Sequence, residues 1–212
     1  MKKHCGHVKI CIEQGEQWLH DFPLFLGINK KNPPQIAIWL EDTQGNYLST
    51  VYVTHKIATQ SWQASGGNRR KEALPHWCYS RGVKYDDGLY LPTKKEPLID
   101  GISGATPHES FNIKLNPATA LKKFVVKIEI NHSTDFNEAF PKSAKDGEAN
   151  YSGGKEGSGQ PAIVYAANVD LSSGEKSFEA NLMGHSSPDG SSGEVNKDTS
   201  GLTTALHIVK RI

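Results

Sequence analysis

Residues 99–107, with the sequence IDGISGATP, combine two glycines, two hydroxyl side chains and one carboxylate. Glycine and alanine beside a hydroxyl remove steric bulk, so the oxygen of Ser103 or Thr106 is open to a reacting partner. Pro107 also favours an extended backbone at Thr106, which suits presentation of that hydroxyl. The alternative is a glycine turn in which Ser103 or Thr106 hydrogen-bonds its own backbone before a strand that starts at Phe111.

A second group of candidate residues combines guanidinium, imidazole and indole side chains. Arginine forks bind phosphate or carboxylate through paired hydrogen bonds, and indole rings stack on aromatic ligands. The group therefore predicts a site for an anionic or aromatic ligand. The alternative, which we favour, is that the tryptophan belongs to the core and the arginines are solvated. The five residues are Arg69, Arg70, His76, Trp77 and Arg81.

Catalytic motifs are absent from the sequence. Hydrolysis needs a nucleophile aligned with a base, and no Gly-x-Ser-x-Gly elbow occurs. The nearest similar stretch is GHSSPDG at residues 184–190, which lies between predicted strands. We therefore expect no enzymatic activity, with an undetected enzyme that uses residues 55–110 as an alternative. His132 and His185 are far apart in the sequence and are assigned no metal role.

Two clusters of polar side chains contain residue types that bind metals. Residues 4–7 (HCGH) have the ligands of a metal clip, but they lie at a chain end and we favour no native site there. Residues 135–138 (DFNE) offer oxygen ligands without the spacing of a calcium loop. We expect instead that one of residues 133–135 caps a helix over 136–140.

The charge balance limits the range of partners. The chain has 24 Lys and Arg against 23 Asp and Glu in 212 residues, so no broad field attracts nucleic acid or an anionic membrane. No run approaches the ~20 apolar residues of a membrane span. Residues 1–7 are not followed by the apolar segment of a signal peptide. The residues alone leave both a cytoplasmic location and export with a leader outside this chain open.

Alternation of apolar and polar residues dominates the rest of the chain and predicts β-strands. The clearest pair is QIAIWLED and YLSTVYVTH, which flank turn residues 42–46 and predict a hairpin. Many short strands without a long helix favour an antiparallel β-sandwich, with a β-barrel as the alternative. Further strands are predicted at residues 8–13, 111–115, 124–131, 162–170, 177–183 and 202–209.

Two long stretches interrupt the strands within what we predict to be a single domain, residues 1–212. Residues 55–110 hold the candidate residues named above, so we expect an ordered insertion that carries the functional site. Residues 141–160 are rich in Gly, Ser and Lys and predict a mobile loop. Connections of this length in compact domains are usually functional or disordered.

Five sequence blocks occur in this order: PQIAIWLEDTQGNYLSTVYVTHKIATQSWQ, RRKEALPHWCYSRG, DGISGATP, IEINHSTDFNEAF and GQPAIVYAANVD. Together they resemble a bacterial family of predicted periplasmic or secreted proteins, domain of unknown function 2271, some of whose members are labelled flagellar hook-scaffold-like. The resemblance covers residues 8–210. It implies an immunoglobulin-like β-sandwich, an extracytoplasmic location and no established activity. Genes of this kind resemble companions of flavin transferases and of membrane PepSY-type proteins linked to redox reactions or iron acquisition.

The block DGISGAT also resembles the attachment sequence for covalent flavin in bacterial electron-transfer subunits, Asp-x-x-Ser/Thr-Gly-Ala-Thr/Ser. In those proteins a flavin transferase moves FMN from FAD onto the last hydroxyl. The resemblance implies that Thr106 is the acceptor. Pro107 and His108 depart from the motif, which often continues with another Ser or Thr. The implied recognition residues are Asp100, Ser103, Gly104 and Ala105.

The residues and the resemblance together lead to an expected function. We expect an accessory or binding module of an extracytoplasmic redox or metal-uptake system. The alternative is an electron-transfer protein that carries covalent FMN on Thr106. The expected partners are a flavin transferase and membrane PepSY-type proteins, without nucleic-acid binding or direct insertion into a membrane.

Overall fold

Strands make up most of the regular structure. In the computed structural model, 36% of the residues are strand and 10% are helix, and the sheets formed by the described residues are not closed into a barrel. The predicted all-β, sandwich-like fold is therefore confirmed over the barrel alternative. The segment at residues 4–7 and Asp100 lie outside the described residues. The structure describes residues 8–23, 29–62, 69–93, 95–96, 98, 101–115 and 121–212.

Short helices connect some of the strands. Helix α1 (His55–Thr59) directly follows the strand Tyr47–Thr54. Helix α2 (Pro75–Ser80) lies in the chain between that strand and the strand Ile102–Gly104, and 3-10 helices span Gly154–Glu156 and Thr204–His207. The strands of the described residues are β1 (Val8–Gln14), β2 (His20–Pro23), β3 (Asn29–Asn32), β4 (Gln35–Glu41), β5 (Tyr47–Thr54), β6 (Ile102–Gly104), β7 (Phe111–Leu115), β8 (Lys123–Asn131), β9 (Ile163–Asp170), β10 (Asn181–Ser186), β11 (Val195–Asn196) and β12 (Val209–Arg211).

The largest sheet has seven strands in the order β11-β10-β9-β8-β4-β5-β6. Its pairs are antiparallel except that β6 runs parallel to β5, with Tyr52 opposite Ile102. Parallel neighbours need a long crossover, and the chain from residue 55 to 101 supplies it. A three-stranded sheet, β12-β1-β7, faces the large sheet, and β2 and β3 form a separate hairpin.

An apolar core fills the space between the two main sheets. Successive side chains of a strand point to opposite faces, so every second residue of β4 and β8 faces the small sheet. Ile38 and Ile128 lie opposite each other in register. Both are fully buried, and they belong to one cluster with Ile12 of β1 and Trp18. This is the core that the period-two pattern predicted.

A second apolar cluster covers the opposite face of the large sheet. Trp39 of β4 and Val53 of β5 pack there against residues of the insertion that spans 55–110. The insertion contributes Trp77 from α2 and Leu91, and both side chains are buried. The described part of the insertion is therefore a layer with its own core.

Most predicted strands are confirmed, and three local predictions are wrong. The helix over residues 136–140 does not form: the Asn137 side chain accepts a hydrogen bond from the Phe140 amide at 2.8 Å and donates one to Gly201 at 2.9 Å. The strand predicted at 202–209 is instead a 3-10 helix followed by β12, because the Thr203 amide donates to a buried glutamine side chain. The strand predicted at 177–183 begins only at residue 181.

Residues 141–160 consist of turns and the short 3-10 helix Gly154–Glu156. The last part of this stretch is packed into the protein. Ser158 and Gln160 are buried, and the Ser158 hydroxyl donates to the Asn131 side chain of β8 at 2.7 Å. These contacts anchor the C-terminal end of the stretch to the covered face of the large sheet.

Candidate functional site

The segment around Thr106 starts on the edge strand β6. Two of its residues are glycines because the backbone comes very close to β5. A Cβ atom at residue 101 would lie 2.7 Å from Cγ2 of Thr50, and one at residue 104 would lie 3.0 Å from Cε2 of Tyr52. Larger side chains would push the segment away from the sheet. In the described residues 102–104, strand structure therefore replaces the predicted turn.

Two hydrogen bonds hold the backbone on either side of Thr106. The Tyr52 hydroxyl donates to the carbonyl of Ala105 at 2.6 Å. The indole Nε1 of Trp18 donates to the carbonyl of Pro107 at 3.2 Å. Tyr52 belongs to the large sheet, and Trp18 follows a strand of the small sheet. The residues on either side of Thr106 are therefore hydrogen-bonded to both layers of the sandwich.

The hydroxyl groups of Ser103 and Thr106 have no hydrogen-bond partner among the described residues. Thr106 is half-buried and Ser103 is exposed, and neither side chain makes a hydrogen bond to another described residue. The alternative prediction, a turn in which Ser103 or Thr106 hydrogen-bonds its own backbone, is thus not observed in the described part of the chain. Ala105 and His108 are also exposed. Small and exposed neighbours leave the approach to the Thr106 hydroxyl open.

Arg70, one of the predicted ligand-binding residues, is buried and fully engaged. Its Nε donates to Oε1 of Glu72 at 2.8 Å, and its two other nitrogens donate to the hydroxyls of Ser133 and Ser158 at 2.6 and 3.0 Å. The ring of Trp62 lies 4.6 Å from the guanidinium carbon. This arginine is not solvated; it connects the insertion to the segment that follows β8 and to the end of the stretch 141–160.

The other two arginines have separate partners. Arg69 pairs with Asp87 and donates to the carbonyl of Leu91. Arg81 stacks on the buried ring of Trp77, with its guanidinium carbon 5.1 Å from the ring centre. Five candidate residues thus lie within one insertion, and their described contacts are with the protein itself. Ligand binding by this group stays a prediction.

A buried carboxylate under α2 escaped the sequence analysis. Glu129 of β8 is fully buried, and its two oxygens accept the backbone N–H groups of His76 at 3.1 Å and Trp77 at 2.8 Å. Burial raises the pKa of Glu129 to about 8, although these two N–H groups, the Ser186 side chain and Lys127 act in the opposite direction. The carboxylate therefore joins the insertion to the centre of the sheet.

Lys127 lies two residues earlier on the same face of β8. Its Nζ is 3.4 Å from Nε2 of His76 and 3.7 Å from Oε2 of Glu41. Nδ1 of His76 is 2.7 Å from the carbonyl oxygen of Gly193, which can only accept, so Nδ1 carries the proton and Nε2 accepts from Lys127. Burial, with a smaller contribution from Lys127, lowers the pKa of His76.

One signal in the sequence could have revealed this covered face. Lys127 and Glu129 alternate with apolar residues and look like the solvent side of a strand. On β4, however, Ala37 and Trp39 are apolar on that same side, and strands covered on both faces read as continuous apolar runs. The run QIAIWL thus indicated that a second layer covers this face of the sheet, although the polar residues of β8 suggested a face exposed to solvent.

Comparison with known proteins gave no relative: no family model, no curated protein and no solved structure matches this chain. Within the described residues, no three His, Cys, Asp or Glu side chains are grouped to hold a metal ion. None of the described helices has the length and apolar character needed to cross a membrane. The class of the protein is therefore given by its fold, an all-β, sandwich-like protein.

Proposed function

We propose that this chain is an accessory module of an extracytoplasmic redox system and that Thr106 carries FMN through a phosphoester bond. The observation that supports the proposal is the half-buried Thr106 hydroxyl, which has no partner among the described residues. It lies between two carbonyls that are held by Tyr52 and Trp18. A residue that another enzyme modifies must be accessible and must stay in one backbone conformation.

The proposed attachment is a transfer of the FMN group from FAD, catalysed by a flavin transferase. The Thr106 oxygen forms a bond to the flavin-side phosphorus, the bond from that phosphorus to the AMP oxygen breaks, and AMP leaves. The hydroxyl proton passes to a base of the transferase. The chain itself supplies the acceptor and an open approach, through Gly104 and the exposed residues Ser103 and Ala105.

The surroundings of the segment suit contact with a partner or a flat ring system. Ile102 on β6 has 70% of its surface exposed, the highest value among the exposed large apolar side chains of the described residues. β6 is the last strand of the seven-stranded sheet. An exposed apolar side chain beside an open strand edge is a common feature of interaction surfaces. The proposed partners are the flavin transferase and membrane PepSY-type redox proteins.

Mass spectrometry tests the proposal. Protein isolated from its native host, or co-expressed with a flavin transferase, should gain the mass of one FMN less one water. Thr106→Ala should abolish the gain, and Thr106→Ser should retain it because the hydroxyl is kept. Ser177→Ala, which changes an exposed serine outside the segment, is the matched control and should stay modified. Unmodified wild-type protein from both sources would overturn the proposal, as would loss of modification in the Ser177 variant alone.

A further inference from the structure

A cavity of about 490 Å³ opens beside β10 and β11, away from the residues that hold Thr106. Its wall is formed by residues 185–188 and by the loop that follows, up to Leu202. Phe140 closes another side. Sites for small molecules usually have volumes of 300–1,000 Å³, so the cavity is large enough for a monosaccharide-sized ligand.

His185 on β10 lines this cavity with an unpartnered nitrogen. The residue is only 5% exposed, and its Nδ1 lies 2.8 Å from the carbonyl oxygen of Ser186. A carbonyl oxygen only accepts, so Nδ1 carries a proton, and in this tautomer Nε2 is the acceptor. Nε2 makes no hydrogen bond to another described residue. This nitrogen can therefore form a hydrogen bond with a ligand in the cavity.

Acidic side chains set the charge of the cavity. Glu194 and Asp198 both line it, and no lysine or arginine of the described chain does. Neither carboxylate is in an ion pair with a described residue. Together with Nε2 of His185, these groups offer acceptors to a ligand. Such a site favours a neutral or cationic molecule that is rich in donors.

The remaining wall combines hydroxyl groups with apolar side chains. Ser187, Ser192 and Ser200 contribute hydroxyls, while Phe140 and Leu202 contribute apolar surface. A pyranose ring presents hydroxyls at its edge and C–H groups on its faces, so it matches both parts of such a wall. We propose that the cavity binds an amino sugar, whose hydroxyls and ammonium group donate to His185, Glu194 and Asp198.

Binding, and not hydrolysis, is the activity that this geometry supports. The stretch GHSSPDG at residues 184–190 provides two serines beside His185. The Ser187 hydroxyl donates to the Asp189 carboxylate at 2.6 Å, and the buried Ser186 hydroxyl lies 3.4 Å from a backbone carbonyl. No hydrogen bond joins either serine hydroxyl to the His185 ring in the described structure, so the serine–base pair of a nucleophile is missing.

Calorimetric titration of the full chain with glucosamine tests the proposal, at a pH at which the amine is protonated. Glucose and glucuronic acid are the comparison ligands. We expect saturable binding of glucosamine, weaker binding of glucose and none of glucuronic acid, because the carboxylates repel an acid. Equal or tighter binding of glucuronic acid would overturn the proposal, and so would the absence of saturable binding of glucosamine.

Variants assign the binding to this cavity. Asp198→Asn keeps the oxygen that accepts the Ser200 amide at 3.0 Å, so the loop should fold as before, but it removes the charge. We expect about tenfold weaker glucosamine binding. Asp42→Asn is the matched control, because the Asp42 oxygen accepts the Gln44 amide in a similar exposed turn outside the cavity lining. An equal effect of both variants would contradict the assignment.

His185→Ala provides a second measurement. It removes the unpartnered acceptor and should abolish detectable binding of glucosamine, with the near-ultraviolet circular dichroism spectrum serving as the check on folding. Unchanged binding by a folded His185 variant would overturn the role of this residue. The proposal does not depend on Thr106: Thr106→Ala should bind glucosamine as the wild type does.

Discussion

The two faces of the seven-stranded sheet are both buried, but they are built from different side chains. Toward the small sheet, β8 presents Phe124, Val126, Ile128 and Ile130, all buried and apolar. Toward the insertion, the same strand presents Lys127, Glu129 and Asn131, which are also buried. On β8, one face is held by apolar contacts, and the other by apolar residues that surround hydrogen-bonded polar side chains.

This difference shows what a polar position on a strand can mean. An unpaired polar or charged group is costly to bury, so each buried polar side chain must find specific partners. Glu129 finds them in the backbone of α2, and Lys127 finds them in His76 and Glu41. Glu41 comes from the neighbouring strand β4, but His76 and Trp77 come from α2, a segment far away in sequence. The covered polar face therefore specifies where the insertion docks, whereas the apolar face only requires something apolar to cover it.

The largest expected effect tests whether the apolar cluster of the insertion stabilises the protein as much as the core between the two sheets does. Trp77→Ala removes a fully buried ring whose Nε1 donates to Thr50 at 3.1 Å, and it should lower the free energy of unfolding by about 3–5 kcal/mol. Ile128→Ala on the opposite face is the matched change, with an expected loss of about 2–5 kcal/mol. Urea unfolding measures both. A small effect of the Trp77 variant alone would show that the insertion unfolds separately.

A smaller effect concerns the protonation of Glu129. Because its pKa in the folded protein is raised to about 8 from 4.5, the folded state holds an extra proton between these values, and the stability that this group contributes falls as pH rises through them. Glu129→Gln cannot titrate. It should be less stable than wild type by about 1–3 kcal/mol at pH 5, since its amide faces a backbone N–H. The gap should narrow toward pH 8.

Unfolding curves of both proteins across this pH range supply the measurement. His76 and Lys127, which face Glu129, are present in wild type and variant, so their own titration largely cancels in the difference. A gap that widens as pH rises would mean that Glu129 is ionised throughout, stabilised by Lys127 and the two N–H groups of α2.

The smallest effect is expected on the same strand outside the covered region. Lys123 starts β8, and its Nζ lies 2.9 Å from Oδ2 of Asp170; the Lys123 side chain is largely exposed and the Asp170 side chain is partly exposed. Exposed ion pairs contribute little because water and salt screen them. Lys123→Ala should therefore leave the urea midpoint unchanged. A clear loss of stability would contradict the idea that polar residues of β8 contribute to stability because the insertion buries them, and not because they form ion pairs.

The strands were largely predictable because their signal is local. Alternation over five to nine residues places β1, β7, β8 and β9 within one or two residues of their observed bounds. The hairpin of β4 and β5 follows from its turn residues. The helix expected at residues 136–140 fails because Asn137 bonds across to Gly201, a contact distant in sequence that no local pattern contains.

The candidate sites were predictable to different degrees. Thr106 was found from the types of its neighbours, which are local information. The residues that fix its backbone were not predictable, because Tyr52 and Trp18 lie 54 and 88 positions away in the sequence. For the cavity at His185 the sequence offered only the stretch GHSSPDG. The approach of Glu194 and Asp198 depends on the path of the loop between β10 and the end of the chain.

The sequence by itself determined the fold class and the reactive-looking hydroxyl, because strand periodicity and small residues around a threonine are properties of short segments. Only the tertiary structure decided which polar residues are buried and what they contact. Burial depends on which segment covers a face, and that choice is made by contacts between residues far apart in the chain. Lys127 and Glu129 are charged in the sequence either way; the docking of α2 turns them from surface residues into part of a core.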